Sequence, residues 1–291
     1  MGLHRSKKHH YIPQFYLDQW RDIKTEDLWV YQRDAKGNLR FDRRYPKSVG
    51  FGTDLYTIRP YGFVDIKEPS DEIERQFFQR IDDNGCRVHK LLLTRGISAL
   101  NEHDRRDWAT FVNAMIWRNK EVIEEMNAGV FEEHDLWKAA LLKGRDEPSK
   151  ARFEGLLNNL DVRALVSNAV LSVAIERIKD PEAIEELLKM EWLLIRVPGE
   201  NHFLTCDRPV ILNGPSGGTP IYLLSFPLSP LCLMVMHVHT AEFDHPFLRR
   251  LSVIQNAFAI EQATKYVFSS KRLVDEKYIK YDKMIRAFMK G

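Results

Sequence analysis

The sequence predicts an α+β protein with strands and helices segregated along the chain, and three observations lead there. Residues 1–67 alternate turn signals with short aromatic or β-branched runs; residues 70–190 carry apolar side chains at helical spacing; beyond 191 short runs bounded by turn residues return, until helical spacing resumes at Pro246. That order is not the βαβ alternation of a parallel sheet. The expectation is a small N-terminal antiparallel sheet (1–67), a central helical bundle (70–190) and a C-terminal antiparallel sheet with a terminal helix (191–291). At 291 residues, a single domain over 1–291 would bury roughly three quarters of its unfolded surface.

The elements follow in order. Ile12 precedes Pro13 and is pushed toward an extended conformation, while Pro13 suits the first position of a helix. The spacing predicts a helix over 14–21 with Tyr16 and Trp20, four apart, on one apolar face. Leu28-Trp29-Val30-Tyr31 and Leu39-Arg40-Phe41 flank Asp34-Ala35-Lys36-Gly37-Asn38, which reads as a hairpin; Leu55-Tyr56-Thr57-Ile58 is a third strand of the same small sheet. Asp71 and Glu74 have the spacing of a capping box. Ile73, Phe77, Ile81, Val88 and Leu92 then form an apolar stripe, with Gly85 a candidate break. Asn101 caps a second helix that buries Trp108, Phe111, Val112, Met115 and Ile116. Helices follow around 130–143, 150–160 and 161–179, and another from Asp180-Pro181 to near Lys189. Strands are expected at 192–197, 202–205, 210–212, 221–224 and 231–239, and a terminal helix at 246–268.

An apolar content of 44% and a charged content of 29% are those of an ordinary globular protein. Net charge is only +2, from 43 basic and 41 acidic residues, so no global field draws the chain to nucleic acid or to an anionic membrane. Basic residues do gather at Arg5, Lys7 and Lys8 and again at Arg40, Arg43, Arg44 and Lys47, a candidate phosphate patch. The three cysteines, Cys86, Cys206 and Cys232, have no short metal-ligand spacing and no disulfide framework, which suits a reducing cytoplasm. The longest apolar run, 231–238, is too short to span a bilayer, and the N-terminus lacks a signal-peptide core. A cytoplasmic protein without a membrane partner is expected.

Chemistry concentrates at Lys7-Lys8-His9-His10-Tyr11-Ile12-Pro13-Gln14-Phe15-Tyr16-Leu17. In an extended segment His9 shares a face with Tyr11 and His10 shares the other with Ile12, so the histidines point apart. In the carboxyl half, Thr205-Cys206-Asp207-Arg208-Pro209-Val210 places a carboxylate at a strand end, where it either caps a turn or serves as metal ligand or acid–base group. His237 and His239, two apart on a strand, could share a metal with Glu242 or Asp244, or simply mark a polar strand end. Gly214-Pro215-Ser216-Gly217-Gly218-Thr219 lacks the ending of a P-loop and reads as a hairpin loop. The His9-His10 pair looks a little like the opening of HNH endonucleases, but Asn84 and His89, the nearest second element, have the wrong spacing.

The His-His-Tyr-x-Pro-Gln-Phe-Tyr-Leu stretch resembles the signature of a bacterial family called domain of unknown function 4238. The Asp207 segment is similar to that family's Thr-Ser-Asp-Asn-Pro-Val motif, and Phe226-Pro227-Leu228-Ser229-Pro230 to its Pro-Leu-Ser-Pro motif. Arg118 falls at its helical arginine and Asn256 in its closing helix. Cys206 and Arg208 depart from it, standing where serine and asparagine are usual, which puts a serine nucleophile at 206 in doubt. The resemblance implies a role in phage defence. Two functions stay open. One is a metal-assisted phosphodiester hydrolase, a nuclease-like toxin acting on nucleic acid. There His10 is the general base, Asp207 and His10 hold a divalent metal ion, and Arg118 clamps phosphate charge. The other is a sensor or binding module that breaks no bond, with His9, Tyr11, Gln14 and Cys206 as its binding residues. Convergence of His10, Asp207 and Arg118 in one pocket would favour the enzyme.

Overall fold

The computed structural model describes residues 6–33, 36, 39–62, 68–130, 143, 146–149, 155, 161–197, 202–213, 223–238 and 245–273. The helices expected around 130–143 and 150–160, the loop 214–219, and His239, Glu242 and Asp244 lie outside the described residues.

In chain order the elements are β1 (Lys8–His10), α1 (Gln14–Leu17) with a 3₁₀ turn at Asp18–Trp20, β2 (Leu28–Arg33), β3 (Leu39–Arg44) and β4 (Phe51–Thr53). A π-helical stretch, Ile73–Phe78, runs into α2 (Gln79–Arg95); α3 (Glu102–Trp117) follows, and residues 120–130 are helical. Next come α4 (Val162–Lys179), α5 (Pro181–Lys189), β5 (Glu191–Arg196), β6 (Thr205–Cys206), β7 (Ile211–Asn213), β8 (Leu223–Ser229), β9 (Cys232–His237), α6 (His245–Gln262) and β10 (Tyr266–Ser269).

The architecture is α+β with antiparallel sheets, but the N-terminal strands divide in a way their sequence does not announce. β1 pairs with β4, His9 opposite Gly52 and His10 opposite Phe51. The third strand thus forms at Phe51–Thr53, and Ile58 makes only an isolated bridge to Ser70. The β2–β3 hairpin belongs to a different sheet, of order β3-β2-β10-β6, so half of its strands come from the other end of the chain. The terminal helix correspondingly stops at Gln262, and Val267 and Phe268, a β-branched and an aromatic residue, pair with Tyr31 and Val30. The third sheet, β5-β9-β8-β7, turns Leu224, Phe226, Met234 and Met236 toward the main core and Ile195, Leu233 and Val235 toward Phe203 and Leu251.

Helix starts follow their local chemistry. Asn101 and Asp104 form a reciprocal capping box on α3, and Asp180 caps α5 with Pro181 in its first turn. Gly85 is no break: a Cβ there would lie 2.4 Å from Cδ2 of Phe111, so its bare backbone is what lets α2 and α3 meet. Among the described residues no helix is long and apolar enough to cross a membrane.

Candidate functional site

The N-terminal motif is first a clasp. α1 buries Tyr16, whose hydroxyl donates to the Pro227 carbonyl (2.8 Å) and meets the Thr205 hydroxyl at 2.7 Å; the Trp20 indole donates to the Phe203 carbonyl at 2.9 Å. These bonds tie α1 and its 3₁₀ turn to Phe203, β6 and β8. Gly50 closes the entry: at φ +65° its carbonyl accepts the N–H groups of Tyr11 (2.9 Å) and Ile12 (3.1 Å).

Among the described residues β1 has one strand neighbour, and acids from the start of the next helix serve its other edge. The Ser6 N–H donates to the Asp71 carboxylate at 2.8 Å, and the His10 backbone N–H donates to that of Glu74. Asp71 and Glu74 therefore cap a strand edge rather than a helix, with Asp71 also paired to Arg75 at 2.8 Å.

The two histidines have opposite fates. His9 is fully buried; its Nδ1 accepts the Tyr56 N–H (2.8 Å), its Nε2 donates to the Ser6 carbonyl (3.0 Å), and its ring stacks on Tyr56. The His10 ring donates to the Lys47 carbonyl, while its Nε2 is buried with no hydrogen-bond partner among the described residues. Burial lowers the pKa of this imidazole, and the charges of Arg118, Lys8 and His9 push the same way.

Glu74 and Arg118 complete the group. Burial raises Glu74 to about 7, with Arg118 pulling it back, and its Oε2 is buried without a partner. Arg118 is wholly buried: Nη1 bonds Asp82 at 2.7 Å, Nη2 reaches the Met115 sulfur at 3.1 Å, and Nε has no partner among the described residues. Its guanidinium lies 5.8 Å from the ring centres of Phe78 and Phe111, and its carbonyl accepts the Tyr56 hydroxyl at 2.6 Å. Thus a ring nitrogen, a carboxyl oxygen and an N–H are left unused in one neighbourhood, where buried polar atoms are ordinarily bonded.

Asp207 is the contrast. Its Oδ1 accepts the Thr264 N–H (3.0 Å), and its Oδ2 accepts the Thr264 hydroxyl (2.9 Å) and the N–H groups of Lys265 (2.6 Å) and Tyr266 (2.9 Å). Burial pushes it up to about 6 against the pull of these donors. The lone pairs of this carboxylate are committed to one turn, so it does not fit the expected place in a metal site. Among the described residues no three His, Cys, Asp or Glu side chains come together as ligands for one ion. Tyr11, buried beside His10, is the motif residue that feels the Asp207 charge; burial, then Asp207 and Glu121, raise its pKa. Cys206 is buried, donates to the Arg208 carbonyl at 3.1 Å, and is raised by burial so that its thiol stays protonated. Gln14 is exposed.

The other sequence candidates are occupied elsewhere. His89 is buried with Nε2 on the Leu228 carbonyl (2.8 Å) and a pKa lowered by burial to about 4, and Asn84 donates to Asp107. His237 lies 4.0 Å from the Glu191 carboxylate. Arg43 pairs with Asp27 and Asp22 and Arg44 with Asp42, so much of the basic patch on β3 is already neutralised; Lys7, Lys8 and Lys47 remain exposed nearer His10. Glu74 and Asp82 were not legible as site residues. Glu74 was read as part of a helix cap, and no local pattern ties it to a strand more than sixty residues earlier.

The family model described as a protein of unknown function (DUF4238) matches residues 8–272, so the chain belongs to that family. No curated protein and no solved structure matches it.

Proposed function

For this member of the DUF4238 family we propose cleavage of a phosphodiester bond with His10 as general base. The observation that carries the reading is the His10 imidazole: its Nε2 is buried with no hydrogen-bond partner among the described residues, and burial keeps the ring neutral near pH 7. Exposed Lys7, Lys8 and Lys47 offer positive charge close by for a polyanionic substrate, which supports nucleic acid as the partner. Arg118 is sealed from solvent, so it is a positioning residue whose field acts on His10 and Glu74, not a clamp on phosphate. No step is routed through a metal ion, because the lone pairs of Asp207 are taken. Turned on a cell's own nucleic acid, this activity makes the protein a nuclease-like toxin, a role that suits phage defence.

One observation favours the second reading, a binding module without chemistry. His10 Nε2 and Glu74 Oε2 are both shielded from solvent, so a substrate phosphate reaches them only after neighbouring side chains part. Incubating purified protein with labelled RNA and DNA decides between the two. Wild type should cut one of them, and His10→Ala, with an unchanged melting temperature, should lose at least about 100-fold of that rate. If neither nucleic acid is cut, and His10→Ala changes only binding, the module reading replaces the enzyme. In cells, the His10→Ala form should also lose any effect on phage plaque number.

A further inference from the structure

Resting on the phosphodiester reading above, we propose that Glu74 is the proton-donating partner of His10 and that the substrate is RNA, cleaved by its own 2′-hydroxyl. Glu74 stands on the π-helical stretch Ile73–Phe78, a rare backbone form that is enriched at functional sites. Its carboxylate accepts the backbone N–H of His10, which tethers it to the residue that carries the base, while Oε2 is left without a partner. The groups acting on the pair come from every side. Arg118 bears on both, Asp82 and Asp71 on Glu74, and Lys8 and His9 on His10.

The protonation states suit the roles. With a histidine at its ordinary 6.5 and a glutamate at its ordinary 4.5, the neutral-imidazole, protonated-carboxyl combination would be a minor state of roughly 1%. Burial reverses that order: it lowers His10 and raises Glu74 to about 7. The reversed order favours the neutral imidazole with the protonated carboxyl over the opposite pair.

A base and an acid that work without an ion need a nucleophile already beside the phosphorus. RNA carries one on every nucleotide, positioned with a high effective concentration, whereas DNA would need an activated water. Here His10 Nε2 takes the proton of the 2′-hydroxyl as the 2′-oxygen bonds to phosphorus. The bond from phosphorus to the 5′-oxygen breaks, and that oxygen takes the proton of the Glu74 carboxyl. The products are a 2′,3′-cyclic phosphate and a 5′-hydroxyl; His10 is left as imidazolium and Glu74 as carboxylate, and exchange with water restores both.

The test uses the full chain in excess chelator, with an RNA, the matched DNA, an RNA 2′-O-methylated at the scissile nucleotide, and an RNA whose bridging 5′-oxygen is sulfur. Wild type should cut the plain RNA to a cyclic phosphate and leave the DNA and the methylated RNA intact. Glu74→Gln should slow RNA cleavage about 100-fold and remove the alkaline limb of the pH profile. The sulfur-bridged RNA, whose leaving group needs no proton, should restore the Glu74→Gln rate but not that of His10→Ala; this rescue separates lost chemistry from lost folding. Cleavage of DNA, dependence on a divalent metal, or full activity of Glu74→Gln overturns the inference while leaving His10 as base. Failure to cut any phosphodiester, with or without chelator, overturns the reading beneath it and the inference together.

Discussion

The Asp207 turn and the His10 strand each place an ionisable side chain at the end of a short strand, Asp207 buried and His10 half-buried. At Asp207 the carboxylate oxygens are filled by the amides and hydroxyl of residues 264–266. At His10 the buried Nε2 has no partner among the described residues, and the neighbouring Glu74 and Arg118 also keep an unused polar atom. The residue type and its place at a strand end are shared, so neither decides the role. What differs is the completeness of the hydrogen bonding. A saturated buried carboxylate is costly to remove, because its loss orphans the donors it holds. An unsaturated one costs stability and is retained for another reason.

The largest effect that would test this contrast is Asp207→Ala. It strips the acceptor from three backbone N–H groups and the Thr264 hydroxyl, and should destabilise by about 3–5 kcal/mol in urea titration. A loss below about 1 kcal/mol would remove Asp207 from the structural side of the comparison.

Glu74→Gln should act in the opposite sense, and only at high pH. The folded-state value of about 7 lies above the ordinary 4.5, so the stabilisation that Glu74 gives is complete below 4.5 and lost as pH rises through 7. The glutamine variant should therefore be more stable than wild type by on the order of 1–3 kcal/mol at pH 8 and indistinguishable from it at pH 4. An equal shift at both pH values would mean that the glutamate is not held protonated in the fold.

His10→Ala should change stability at pH 7 by less than about 1 kcal/mol, because the ring it removes has one unmet nitrogen and one bond to the Lys47 carbonyl. A loss as large as that of Trp20→Ala, about 3–5 kcal/mol, would move His10 to the structural side as well. Cys206→Ser should matter least. Serine can make the same bond to the Arg208 carbonyl, and with a thiol that stays protonated there is no thiolate to lose, so activity should be retained.

What could be read from the chain was what local chemistry determines. Asn101 and Asp180-Pro181 marked helix starts because a cap is a contact over a few residues, and both stand where expected. β10 was absorbed into the preceding helix because its reason for being a strand is remote. The Asp207 carboxylate gathers the amides of 264–266, and the chain leaves that turn already aimed along β2. The candidate site divides the same way. His10 was legible from a junction of polar residues with an extended segment. Arg118 was legible as a residue but not in its position, because an arginine on a helix carries no sign of being sealed under Phe78 and Phe111. Glu74 was legible only as a cap, since the strand edge it serves belongs to another part of the chain.

The sheet that joins β2 to β10 also sets a clock on synthesis. The Tyr31 hydroxyl accepts the Leu273 N–H across 242 residues, and β2 has no partner on that side until β10 has been made. At about 5–20 residues per second, the hairpin waits roughly 12–50 s with an open edge, a period in which it is exposed to pairing with other chains. The anchors of the first helix wait almost as long, since Trp20 and Tyr16 bond to Phe203 and Pro227. The setting of α1 is therefore completed only once the segments around Phe203 and Pro227 have been made.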